Sequence, residues 1–143
     1  MTASSPPTRE RGASTVELAI IMPVVLVVIL LIVQFALIFH GRQVADAAAR
    51  EGARVARSAG AEAAGWEAAA TKRAKDILRN MGPQMLEKAT VTTWQRGSQR
   101  GVTVRGNAVA AVPLLPGMSF TITSEFGGPI ECFRPDNGSG GCQ

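Results

Sequence analysis

The chain has 143 residues, a formal net charge of +4, one histidine and two cysteines. A zinc site or a Cys/His nucleophile arrangement needs more partners than that inventory holds. The positive excess permits an anionic partner. Its bases, however, are scattered among acids and alanines, there is no Tyr, and Trp66 and Trp94 lie outside any basic cluster. The stacking-plus-charge pattern of a nucleic-acid binder is therefore missing. None of the glycine groups sits between a strand and a helix in a phosphate-cradling pattern. These absences point away from an enzyme, and no cofactor or metal is expected.

Met1–Pro7 is small, polar and proline-bearing, and reads as disordered. Arg9, Glu10 and Arg11 form a charged collar, and from Leu18 to Phe39 there follow 22 residues without a charge. At 1.5 Å per residue this run spans a hydrocarbon core of about 30 Å. It exceeds the apolar core of a secretory signal peptide, and no small-residue cleavage site follows it. Orientation is contested by the charges. Arg42, Arg50, Arg54 and Arg57 on the C-terminal side outnumber Arg9 and Arg11, which on the positive-inside rule places the following domain in the cytoplasm.

Gly41–Ser58 continues the helix, with Asp46 and Arg50 at i,i+4, Glu51 within reach of Arg54, and an apolar stripe through Val44, Ala48 and Val55. It reads as a solvated extension of the span, interrupted at Ser58-Ala59-Gly60. A second, amphipathic helix is expected from about Glu62 to Met81, with Trp66, Ala70, Ala74, Ile77, Leu78 and Met81 on one face and Gly82-Pro83 ending it. The period then changes to two. Thr90–Gln95, a segment bearing Val102, Val104, Ala108, Ala110 and Val112, and another bearing Met118, Phe120, Ile122 and Phe126 read as three antiparallel strands. Arg96–Gly101 is the expected loop between the first two. The face of the second helix is the expected cover for the sheet.

Two features bear on function. Cys132 and Cys142 can close a disulfide if the domain lies outside the cytoplasm, and are otherwise two thiols in a flexible tail. Glu17 stands at the edge of the apolar run, where an ionisable group is costly unless paired. If the chain is cut after Gly12, Ala13 gains a positive amine about 6 Å from Glu17 along the helix. The amine of one subunit and Glu17 of its neighbour then neutralise each other when two such helices pack with a small offset. The alternative is an interfacial Glu17 facing headgroup water. For His40, closing the apolar run, an ordinary interfacial role is the simpler reading.

The stretch from Arg11 to Ala56 resembles the TadE-like proteins, minor pseudopilins of the Tad (tight adherence, Flp-type) pilus machinery. The charged collar, Gly12, Glu17, the early Pro23 and the block Ala47–Arg54 carry the resemblance. It implies cleavage between Gly12 and Ala13 by a prepilin peptidase, a cytoplasmic N-terminus and an extracytoplasmic domain, against the simple count of bases. The implied fold is pilin-like α+β: a long transmembrane helix extended beyond the membrane, a second helix and a small three-stranded antiparallel sheet. The expected layout is a leader at 1–12, the helix at 13–58, the domain at 59–130 and a flexible tail at 131–143. The implied partners are the membrane, the peptidase, other pilins or pseudopilins and inner-membrane assembly proteins, without nucleic acid. The roughly 80 residues beyond the helix favour a minor or assembly component over a short main filament subunit. The rival is a permanent single-pass membrane protein with an extracytoplasmic binding domain.

Overall fold

The computed structural model describes residues 10–60 (side chains from residue 15), 63–109 and 120–131. Helix α1 (Glu10–Ser58) is followed by α2 (Trp66–Met81) and by strands β1 (Leu86–Arg96), β2 (Gln99–Ala108) and β3 (Thr121–Pro129). The strands form one antiparallel sheet in the order β1-β2-β3. This is the α+β arrangement expected. Ala110, Val112 and Met118 fall outside the described residues, as do Cys132 and Cys142.

α1 is 49 residues long and has two unlike halves. From Val16 to Val33 its apolar side chains are exposed almost all round. Pro23 lies inside this half without ending the helix, although it removes one ladder hydrogen bond. The second half is the inner wall of the domain: Val44, Ala45, Ala48, Ala49, Ala53 and Ala56 are buried. The expectation of a solvated extension is thus wrong. Alanine lets neighbouring backbones approach closely, and here that approach is used on two sides. A Cβ at Gly52 would lie 3.1 Å from Ala74 Cβ on α2 and 3.1 Å from Val102 Cγ2 on β2. At Gly41 it would lie 3.2 Å from Ile122 Cδ1 on β3.

The cover of the sheet is therefore chiefly α1, with α2 packed alongside through Trp66, Ala70, Ala74 and Leu78. Met81, expected on the buried face of α2, is instead 57% exposed; it is the last residue of its helix, beyond the reach of the core. Asp46 does not pair with Arg50. Its Oδ1 accepts from Ser124 Oγ at 2.6 Å, while the Arg50 guanidinium lies 4.7 Å from the centre of the Phe126 ring. Both side chains turn to the sheet that the expected exposure left out. Glu51 does meet Arg54, at 3.9 Å, and also Arg73 of α2, at 3.2 Å.

Val102 and Val104 are the largest fully buried side chains, and with Ala108 they fill the inner face of β2. The expected six-residue loop is a two-residue turn, Gly97-Ser98, because Arg96 already pairs with Gln99. Gly97 takes φ +59 there, which glycine adopts without strain. Gly101 belongs to the strand for another reason. The Trp94 indole lies across the outer sheet face over Gly101 and Gly127, where an added Cβ would come within 2.2 and 2.4 Å of the ring. β1 also begins earlier than expected, since a register shift between Glu87 and Thr90 and the positive φ of Lys88 break its alternation.

Arg100 ties the far end together. It is almost wholly buried, lies 4.6 Å from the centre of the Trp66 ring, and donates to the carbonyls of Ala59 and Gly60 at 3.3 and 3.2 Å and to Gln95 Oε1 at 3.1 Å. A single guanidinium thus satisfies carbonyls just past the end of α1 and positions the first residue of α2. Beside it, Glu131 N donates to Arg57 O at 2.9 Å, fixing the end of β3 to the last turn of α1.

Candidate functional site: the apolar half of the N-terminal helix

Residues 12, 13 and 17 all lie on the helical backbone of α1. Gly12 and Ala13 fall in its first turn, whose backbone N–H groups have no partner within the helix; their side-chain surroundings are outside the described residues. Positions 13 and 17 are four apart and so share a helix face, about 6 Å from one another along the axis. Glu17 is exposed, flanked by the exposed Val16 and Leu18, and has no ion-pair partner among the described residues. An ionisable group at the edge of an apolar run is costly unless paired, and no described residue pairs with this one.

Gln34 is the polar side chain within the uncharged run Leu18–Phe39. It is 9% exposed, and its Nε2 donates to the carbonyl of Val109, just past β2, at 3.2 Å. An amide in hydrocarbon without a partner costs several kcal/mol, so the domain supplies an acceptor where the run carries its one polar side chain. A glutamine in an otherwise apolar stretch was the available signal.

Elsewhere the described residues offer little chemistry. They contain no group of three or more His, Cys, Asp or Glu arranged to hold a metal ion. A groove of about 280 Å³ between the end of α2 and β1 is lined by Leu78, Leu86, Pro83 and the cations Lys75 and Arg79, with no acid–base pair or nucleophile. Arg79 is itself paired with Asp76. His40 is exposed beside the end of the apolar run.

The segment that carries the resemblance is also the one that matches a family model. Residues 12–54 match the family model described as TadE-like protein. No curated protein and no solved structure matches the chain. The matched residues are the apolar half of α1 and most of its alanine-rich half, and among the described residues α1 is the one helix long and apolar enough to cross a membrane. Over residues 12–54 the chain is thus similar to the TadE-like family, and the matched segment holds a helix long and apolar enough to cross a membrane.

Proposed function

We propose that the protein is a minor pseudopilin, a non-enzymatic subunit that helps to build or complete a Tad-type pilus. A prepilin peptidase removes Met1–Gly12 and leaves Ala13 as the new N-terminus. The helix then waits in the membrane with its N-terminus on the cytoplasmic side and the domain, residues 59–130, outside; the tail, 131–143, is where a Cys132–Cys142 disulfide would form. Inner-membrane assembly proteins draw it into contact with other pilins or pseudopilins. The observation that carries this reading is Glu17, exposed and without an ion pair among the described residues, on the face of residue 13 and inside the TadE-like match. Once processed, the amine of Ala13 in one subunit is the counter-charge that Glu17 of its neighbour lacks.

Glu17→Ala tests it. The expected outcome is normal membrane insertion with loss of the subunit from sheared pili, and recovery with Glu17→Asp weaker than wild type. A Glu17→Ala protein that still enters pili at the wild-type level contradicts the pairing. The alternative, a permanent membrane-anchored binding protein, predicts that result.

A further inference from the structure

The two sides of α1 place the edge of the bilayer at different heights. On the open side Phe35 and Phe39 are 70% and 64% exposed and stand four residues apart on one face. On the other side the domain already begins at Gln34, which donates to the Val109 carbonyl. Helical side chains lean towards the helix N-terminus, so that carbonyl stands level with the turn of Gln34 or below it. Between Gln34 and Phe39 the helix rises about 7.5 Å, close to the thickness of one headgroup layer. A bilayer that covers Phe39 on the open side therefore reaches past the end of the domain on the other.

What stands at that end suits lipid. Phe120, whose carbonyl accepts from Ala108 N at 2.8 Å, is 40% exposed. Ile122 packs on Gly41, just beyond Phe39. The first charges inward on the sheet are Glu87, which pairs with Asn107, then Lys88, and then Arg105, which pairs with Thr90.

We infer that the end of the domain formed by Val109 and Phe120 is a lipid-contacting surface, seated in the membrane interface beside its own helix. Glu87, Lys88, Arg105 and Arg42 then lie at headgroup height, three cations to one carboxylate, where cations meet phosphate. The inference rests on α1 as a membrane span and not on the pilus role.

Nitroxide labels in the full chain test it, in phosphatidylcholine/phosphatidylglycerol vesicles, with Cys132→Ser and Cys142→Ser removing the native thiols. Single sites are Val25→Cys, Phe39→Cys, Phe120→Cys, Thr121→Cys and, at the opposite end of the sheet, Ser98→Cys. Collision with oxygen is compared with collision with a water-soluble nickel complex. The expected result is a deep Val25 label, shallow Phe39, Phe120 and Thr121 labels shielded from nickel, and a Ser98 label open to it. Thr121→Cys keeps Phe120 in place, so the reading survives a Phe120→Cys chain that does not fold. A Thr121 label as open to nickel as the Ser98 label, with Val25 in lipid, overturns the surface and leaves the span intact. A Val25 label open to nickel overturns the span and the surface together.

Discussion

The two halves of α1 are one continuous helix in two different solvents. Before Gln34 large branched side chains point outward in every direction, the pattern of a helix whose surroundings are apolar. Beyond Gly41 alanine and glycine replace them on the inner side, and the helix becomes a wall against which α2 and the sheet both close. The contrast teaches that bulk, more than hydrophobicity, separates the two roles. The first half maximises apolar surface; the second minimises the distance between backbones.

The close-packed half is most sensitive at Gly52. Gly52→Leu places a branched side chain where even a Cβ stands 3.1 Å from both Ala74 and Val102, so a loss of about 3 kcal/mol is expected, at the upper end for overpacking. Thermal unfolding followed by tryptophan fluorescence reads it, and an unchanged midpoint contradicts the three-way junction. Arg100→Ala comes next. It leaves the Ala59 and Gly60 carbonyls without this donor and uncovers the Trp66 ring, for a cost of about 2 kcal/mol, and Arg100→Lys recovers only part because a point charge lacks the planar fork. The same assay with urea as denaturant gives both values. Smallest is Leu26→Ala in the exposed half, where that side chain is 56% exposed. Its expected effect on the domain's unfolding midpoint is nil, and a shift as large as that of Arg100→Ala would show that the two halves are not separate.

Much of this was legible in the residues. The uncharged run announced the span, and the parity of Val102, Val104 and Ala108 placed β2 correctly on its buried face. The wall role of Gly41–Ser58 was not legible from periodicity, because alanine serves equally as a surface helix former and as a close-packing core residue. Only the partners decide. Gly41 and Gly52 were the available hint, since glycine inside a helix costs roughly 1 kcal/mol against alanine and calls for a reason. The sheet misled in a similar way. Gly97 and Gly101 looked like one loop, whereas the first makes a turn and the second makes room for Trp94. Of the site, Glu17 could be singled out from its setting alone, and its lack of an ion pair within the described residues came from the structure. Gln34 could not be placed, because its acceptor lies 75 residues away.

On the proposed function this helix is an anchor only until the chain is processed and assembled. Intact-mass measurement of the protein purified from cells containing an active prepilin peptidase tests it most directly. The expected mass is that of a chain lacking Met1–Gly12 and beginning at Ala13, with the full-length form accumulating when the peptidase is inactivated. A mature protein that still begins at its first residues, or whose mass is the same with and without the peptidase, would contradict it.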